Sequence, residues 1–209
     1  MLNDQGFDLW ANGYDKSVAL SEESNEYPFA GYGDVLNFIY NGVRRGPGKR
    51  VLDVGIGTGV LAQKLYGEGY AICGVDFSEK MLALAGAKMP HATLIKHDFS
   101  KGLPKALEGD AFDSIVCTYA IHHLKHEEKL GLLRALCARL NPGGTLFVGD
   151  VAFETTAALE ACKAEAGGEW DDEELYPVVE TLLPHFPNLR FEAVSFCAGV
   201  LLFEKERTV

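Results

Sequence analysis

Three observations predict a doubly wound α/β fold built on a mostly parallel sheet. From residue 50 onward, short apolar and β-branched runs alternate with longer helical stretches, which is typical of parallel strands joined by crossover helices. The first run leads into a glycine-rich turn, and the last two runs predict an antiparallel β-hairpin. The 209 residues, 47% of them hydrophobic, suffice for one sizeable core. We therefore expect a single domain, 1–209.

The predicted strands are mostly apolar, as suits strands that are buried on both faces. They lie at 50–54, 71–75, 93–96, 114–118 and 145–149, with hairpin strands at 190–196 and 200–206. The clearest helix spans 126–140 and should stop at Asn141-Pro142-Gly143-Gly144.

Four segments are expected within the domain. A lid rich in aromatic residues and a helix at about 34–43 make up 1–45, and the ligand-binding core is 46–150. A helical insert, 151–187, should hold helices near 155–165 and up to about 183, and the hairpin occupies 188–209. The acidic run at 169–174 precedes the second of these helices, so we interpret it as a favourable partner of the helix N-terminus. The alternative is a site for a cationic substrate.

Composition and charge exclude several classes of function. A net charge of -11 repels phosphate backbones, so RNA and DNA are not expected as partners. The five cysteines are widely spaced without a C-x-x-C pair and predict reduced thiols rather than disulfides or a metal site. No signal peptide or membrane-spanning run is evident, so we expect a cytoplasmic protein that does not bind membranes. A monomer and a homodimer are equally compatible with the sequence.

The most specific motif is the run from Val51 to Gly59, in which a strand enters a turn containing Gly55, Gly57 and Gly59. Glycines at such a turn let the backbone approach a ligand where a Cβ would collide with it. The spacing also satisfies the dinucleotide fingerprint, so the glycines alone do not distinguish S-adenosylmethionine from NAD.

Asp53 decides between these cofactors. Its carboxylate comes two residues before the first glycine, where it would repel a pyrophosphate and attract a cationic amino-acid group. The alternative is that Asp53 accepts hydrogen bonds from the amides of the turn.

Two further carboxylates follow predicted strands. Asp76 lies about 20 residues after the turn, the spacing at which an acid binds ribose hydroxyls, and Ser78 is the better candidate for capping the next helix. Asp98 and Phe99 could hold the amino group and ring of an adenine. An Asx-turn followed by a core phenylalanine explains the second pair equally well.

These motifs together resemble those of class I S-adenosylmethionine-dependent methyltransferases. The resemblance covers about 50–150 and includes the runs Phe112 to Leu124 and Leu140 to Leu146. It implies a Rossmann-like sheet of seven strands, of which the last is antiparallel. It also assigns cofactor contacts to Asp53, Gly55, Gly57 and Gly59 beside the methionine part, Asp76 beside the ribose, Asp98 with Phe99 beside the adenine, and Tyr119 beside the sulfonium. Phe77 is a further expected cofactor contact.

The flanks resemble a bacterial branch of small-molecule methyltransferases, the YrrT group. The matching runs begin at Phe7 and at Trp170. This resemblance implies a lid over the sulfonium that includes Trp10, Tyr14 and Tyr32, with Tyr14 a candidate catalytic residue. The run from Cys117 to Ala120 replaces the Asn/Asp-Pro-Pro-aromatic motif of enzymes that methylate amino groups of nucleic acids, which disfavours that reaction.

Two histidines follow the fourth strand, at the sheet edge where open α/β folds bind ligands. We expect His123 to pack against or cap the next helix, whereas a catalytic role and a simple polar contact are equally compatible with His122. No set of His, Cys, Asp or Glu has the spacing of a metal site, so we expect no metal, although Asp150 keeps a metal-assisted reaction open.

The sequence therefore predicts methyl transfer from S-adenosylmethionine to a small molecule, with S-adenosylhomocysteine as product. An NAD(P)-dependent oxidoreductase is the first alternative, opposed by Asp53 and by the absence of a Tyr-x-x-x-Lys motif. A protein that binds S-adenosylmethionine or a metabolite without turnover is the second. The sequence does not identify the methyl acceptor.

Overall fold

The computed structural model describes residues 26–207. In chain order its helices and strands are α1 (Tyr32–Arg44), β1 (Arg50–Val54), α2 (Val60–Gly67), β2 (Ala71–Asp76), α3 (Glu79–Lys88), β3 (Thr93–Lys96), β4 (Phe112–Thr118), α4 (His126–Ala138), β5 (Leu140–Val151), α5 (Thr156–Ala166), α6 (Val179–Leu182), β6 (Arg190–Ala193) and β7 (Ala198–Glu204). Short 3₁₀ turns lie between several of them, including one at Ile121–His123.

All seven strands form one sheet in the order β3-β2-β1-β4-β5-β7-β6. The strands β3, β2, β1, β4 and β5 pair in parallel, whereas β7 runs antiparallel to both β5 and β6. The chain leaves β1 toward β2 on one side and returns to β4 on the other, which makes a topological switch point between β1 and β4. The predicted doubly wound, seven-stranded sheet with an antiparallel C-terminal strand is confirmed.

Helices bury both faces of the sheet. On one face α1 lies so close to β5 that a Cβ at Gly149 would come 2.5 Å from Cγ1 of Val35. On the other face α4 buries Leu130, Leu133 and Leu136 completely or nearly so. Neighbouring residues of β4 join different core clusters, because successive side chains of a strand point to opposite faces. The central strands are therefore packed on both faces beneath the switch point.

Two predictions about helices need correction. Helix α4 ends two residues earlier than expected, at Ala138, and β5 begins directly at Leu140. In the insert, α6 is a single turn, because Pro177 disfavours helix for the residue before it and Val178 forms a parallel bridge with Phe153. The acidic run at 169–174 therefore lies well before α6, and its interpretation as a partner of a helix N-terminus is wrong.

Two further sequence predictions concern cysteines and membranes. All five cysteines are free, as expected. Within residues 26–207, no helix combines the length and the apolar character needed to cross a bilayer.

Candidate active site

A pocket of about 1000 Å³, partly open to solvent, lies at the carboxyl ends of β1, β2 and β4. This is the edge of an open α/β sheet at which ligands bind beside a switch point. The predicted site residues that line it are Tyr32, Asp53, Gly55, Gly57, Asp76, Phe77, Phe99, Tyr119 and His122. Gly59 and Asp98 are near but not in its lining, and Trp10 and Tyr14 lie outside the described residues.

The glycines of the turn after β1 serve different purposes. Gly55 has φ +74° and a Cβ there would come 2.6 Å from Cβ of Ala120, so packing as well as conformation excludes other residues. Gly57 has φ +53°, and a Cβ built on it would meet nothing within 4 Å. The backbone at Gly57 therefore faces open pocket space, which suits close approach by a ligand.

Asp53 lies at the floor of the pocket with only 2% of its surface exposed. Its Oδ1 is buried and accepts no hydrogen bond from any residue in 26–207. The turn amides that could have bonded to it are used elsewhere, since Gly55 N–H donates to Val75 O at 2.8 Å and Gly57 N–H to Asp76 Oδ2 at 2.9 Å. Burial, and secondly the charge of Asp76, raises the pKa of Asp53 to about 8. A buried carboxyl group without a partner is costly, and a cationic ligand would supply one.

Asp76 both shapes the turn and faces the pocket. Its Oδ2 accepts from Gly57 N–H and its Oδ1 from Ser78 N–H, each at 2.9 Å. Ser78 is the residue that caps α3, with Oγ accepting from Met81 N–H at 3.1 Å. A carboxylate has about four acceptor positions, and Asp76 lines the pocket, so it is a candidate partner for hydroxyl groups.

Asp98 is engaged in its own turn. Its Oδ1 accepts from the backbone N–H and the hydroxyl of Ser100, at 3.0 Å and 2.6 Å, and its Oδ2 pairs with Lys101 Nζ at 2.9 Å. This is the Asx-turn that the sequence left as an alternative. The next residue, Phe99, is buried in the core and lines the pocket.

An aromatic wall, made of Phe29, Tyr32 and Tyr119, closes one side of the pocket. The ring of Tyr119 lies 4.9 Å from that of Tyr32 and 5.7 Å from that of Phe29, centroid to centroid. Tyr119 has φ +48°, an unusual conformation for a residue with a side chain, at the carboxyl end of β4. This conformation brings a residue predicted to lie beside the sulfonium against residues of the N-terminal segment.

His122 forms a buried dyad with Asp150 of β5. Its Nδ1 lies 2.6 Å from Asp150 Oδ1, and its backbone N–H donates to Asp150 Oδ2 at 3.3 Å. Val151 N–H also donates to Oδ1, at 2.8 Å. A carboxylate can only accept, so Nδ1 carries a hydrogen, and in the neutral imidazole Nε2 keeps a lone pair. Burial opposes protonation of His122, but the charges of Asp150 and then Glu174 outweigh it and raise its pKa.

Glu174, from the acidic run, also lines the pocket. Its Oε1 lies 3.6 Å from His122 Nε2, and its Oε2 accepts a hydrogen bond from the hydroxyl of Tyr176. The acidic run therefore contributes to the pocket. The strand predictions gave no reason to place Glu174 there.

His123 lies beside His122, with ring centroids 4.1 Å apart. It also lines the pocket, and the cap of α4 is instead Lys125, whose N–H donates to Glu128 Oε2 at 2.8 Å. Burial and then the neighbouring His122 lower the pKa of His123 to about 4. Ligand-type atoms of His122, His123 and Glu174 lie within 4.8 Å of one another. The expectation that no metal binds therefore stays a prediction, and this cluster is the place to test it.

A second aromatic group, formed by Tyr27, Trp170 and Tyr176, was missed by sequence reasoning. The rings of Tyr27 and Trp170 stack at 5.1 Å, and the hydroxyls of Tyr27 and Tyr176 share a hydrogen bond. This aromatic clasp joins the segment before α1 to the insert, beside Glu174. The signals in the sequence were the richness of both segments in aromatic residues and the resemblance of the run that begins at Trp170.

Comparison with known proteins identifies the family. A family profile described as a methyltransferase domain matches residues 51–144. An uncharacterized methyltransferase of Anoxybacillus flavithermus is 37% identical over 160 residues, which are 77% of this chain and 72% of the relative. The chain belongs to the methyltransferase family. A YrrT methyltransferase of Halobacillus halophilus is 30% identical over 197 residues, 91% of this chain and 89% of the relative, which confirms the predicted resemblance.

The fold of this methyltransferase is shared by solved structures. DhpI in complex with SAH superposes with a TM-score of 0.71 at 16% identity, over 98% of this chain and 96% of that one. At this identity the comparison establishes the fold alone.

Proposed function

We propose that this methyltransferase binds S-adenosylmethionine in the pocket beside β1 and transfers the methyl group to a small molecule. Asp53 carries the proposal, because it is buried, its Oδ1 accepts no hydrogen bond from the described residues, and it lines the pocket beside the open backbone at Gly57. A ligand with an ammonium group fits this carboxyl group, whereas a pyrophosphate would be repelled by both Asp53 and Asp76. The complex of DhpI with SAH supports the same cofactor.

The remaining cofactor contacts follow from the pocket lining. Asp76 has acceptor capacity for ribose hydroxyls, and Phe77 and Phe99 offer apolar surface for the adenine. Tyr119 belongs to the aromatic wall, on the side where the sulfonium is expected. Asp98 is left out of this assignment because its carboxylate is engaged by Ser100 and Lys101.

The acceptor is a small molecule rather than a nucleic acid. Among the described residues, no lysine or arginine lines the pocket, whereas Asp53, Asp76 and Glu174 do. A phosphate backbone would meet this negative lining and a net charge of -11 without compensating cations. Carboxylates of this kind disfavour polyanions and suit a neutral or cationic acceptor.

The chemistry needs alignment, a dry pocket and a place for one proton. S-adenosylmethionine, when bound, supplies an electrophilic methyl group with a good leaving group. The Asp150 carboxylate holds His122 with its Nε2 lone pair available to accept a proton from the acceptor, a step worth roughly 10²–10⁴-fold when the nucleophile starts protonated. The aromatic wall, which includes Tyr32, limits the access of water, and Trp10 and Tyr14 are proposed to extend this cover.

Calorimetry with the full chain tests the cofactor. We expect S-adenosylmethionine and S-adenosylhomocysteine to bind and NADH not to, because only the sulfur nucleosides pair an ammonium with Asp53. Transfer of a labelled methyl group to small metabolites, but not to tRNA, should follow. Binding of NADH with no binding of either sulfur nucleoside would contradict the proposal.

A further inference from the structure

Two hydrogen-bond acceptors stand side by side in the pocket. They are Nε2 of His122 and Oε1 of Glu174, which lie 3.6 Å apart, beyond hydrogen-bonding distance. The other polar atoms of both side chains are already committed, Nδ1 to Asp150 and Oε2 to the hydroxyl of Tyr176. When His122 is neutral, Nε2 and Oε1 are both acceptors that no hydrogen bond within residues 26–207 occupies, and both residues line the pocket.

The position of Glu174 is set by contacts on both sides. Leu175 N–H donates to the carbonyl of His122 at 2.9 Å, which ties the acidic run to the 3₁₀ turn that carries the histidine. Only 7% of the surface of Tyr176 is exposed. Its ring packs edge-on against the ring of Trp170, with the two centroids 5.2 Å apart. Glu174 is therefore held by the same clasp of Tyr27, Trp170 and Tyr176, unlike the exposed carboxylates of the run, such as Glu169.

These two acceptors require two donors on the group that enters between them. A hydroxyl or thiol nucleophile has one hydrogen, so it would leave either Nε2 or the charged Oε1 without a partner. A primary amine offers an N–H to each, and its cationic form also matches the carboxylates of Glu174 and Asp150. A buried acceptor left unpaired costs free energy, and such costs produce strong discrimination between analogues.

We propose that the methyl acceptor is a primary amine bound between His122 Nε2 and Glu174 Oε1, so that this enzyme is an N-methyltransferase. The inference rests on the proposed function and adds the chemical class of the acceptor. Glu174 is the residue that determines specificity.

The transfer balances in protons and electrons. An ammonium group that enters the pocket passes one proton to His122 Nε2, and the resulting imidazolium is stabilised by the carboxylates of Asp150 and Glu174. The nitrogen lone pair then forms the bond to the methyl carbon, and the electron pair of the broken carbon–sulfur bond remains on sulfur. The products are a methylated ammonium, S-adenosylhomocysteine and the proton on His122, which is released to solvent.

Matched probes test the proposal on the full chain saturated with S-adenosylhomocysteine. Benzylamine, benzyl alcohol and benzyl mercaptan share one shape, and their affinities are measured by calorimetry. We expect benzylamine to bind about tenfold more tightly than the other two, the effect of one charge-assisted hydrogen bond. Glu174→Gln should reduce this preference to about threefold or less, whereas Glu169→Gln, the control in the same run, should keep it.

A second readout is the position of the methyl group in the product. Methyl transfer from ¹³C-labelled cofactor to a bacterial metabolite extract should place the label on nitrogen, as NMR detects. Equal affinity for the three probes, a preference that survives Glu174→Gln, or label on oxygen or sulfur would overturn the proposal. Loss of amine binding on chelator treatment with recovery on adding Zn²⁺ would also overturn it, in favour of a metal held by His122, His123 and Glu174. Failure of the cofactor proposal would be seen separately, as absence of S-adenosylhomocysteine binding.

Discussion

Two buried aspartates at the carboxyl edge of the sheet differ in the hydrogen bonds that their carboxylates accept. Asp53 of β1 is 2% exposed and Asp150 of β5 is fully buried. Asp150 accepts hydrogen bonds from His122 Nδ1 and from two backbone N–H groups, of His122 and Val151. Asp53 Oδ1 accepts none among the described residues.

The difference separates a positioning residue from a ligand-binding one. Buried polar groups in proteins are nearly always hydrogen-bonded, so the satisfied Asp150 belongs to the fold and holds His122 in one orientation. The unsatisfied Asp53 lowers the stability of the unliganded protein, a cost that a bound cation removes. Burial and charge alone would not have distinguished the two residues, because both are carboxylates near strand ends.

The largest effect is expected for Asp150→Asn. The asparagine amide has the shape of the carboxylate, but its NH₂ group would face at least one of the three N–H donors that now bond to Asp150. We therefore expect a loss of about 3–5 kcal/mol in the free energy of unfolding. Urea unfolding followed by circular dichroism measures it. A loss below about 1 kcal/mol would mean that Asp150 is not the structural partner that its contacts indicate.

Asp53→Asn should act on binding instead. Removing the charge beside the ligand ammonium should weaken S-adenosylhomocysteine binding by about 10- to 100-fold, the range of a lost charge-assisted hydrogen bond. Asp172→Asn is the matched control, because Asp172 pairs with Lys163 at the surface and does not line the pocket. Unchanged affinity in Asp53→Asn would contradict the assignment of the ammonium to this carboxyl group.

The same variant should change how stability depends on pH. The pKa of Asp53 is about 8 in the folded protein against an ordinary value of 3.8, so the fold favours the protonated form. Its contribution is present below the ordinary pKa and is lost as pH rises to about 8. The wild type should therefore lose stability relative to Asp53→Asn between about pH 4 and 8, with no further divergence above that range. Urea titrations of both proteins at about pH 5, 7 and 9 measure the difference, and parallel curves would show that Asp53 is ionised throughout.

The contrast between these regions also explains what the sequence could predict. Asp53 and Asp76 lie at the carboxyl ends of β1 and β2, and Tyr119 follows β4 directly. Parallel strands bring their carboxyl ends to one edge, so local motifs predicted which residues line the pocket. Glu174 follows no strand. Its place depends on the hydrogen bond from Leu175 N–H to the carbonyl of His122 and on the Tyr27–Trp170 stack, which join segments far apart in the chain. Local motifs do not predict such contacts.

Asp98→Asn should have the smallest effect, although Asp98 also follows a strand. Its side chain is 42% exposed and already bonded to Ser100 and Lys101, and exposed pairs of this kind contribute little. We expect S-adenosylhomocysteine affinity to change by less than about threefold.

S-inosylhomocysteine, in which an oxo group replaces the adenine amino group, provides a second test of the role of Asp98. If Asp98 accepted a hydrogen bond from that amino group, the variant would lose affinity for the adenosine ligand and not for the inosine ligand, because the two changes would remove the same contact. We expect the ratio of the two affinities to be the same in the variant and the wild type, since the carboxylate is committed to its own turn. A ratio that collapsed in Asp98→Asn would place this third aspartate with Asp53, as a residue that binds the cofactor.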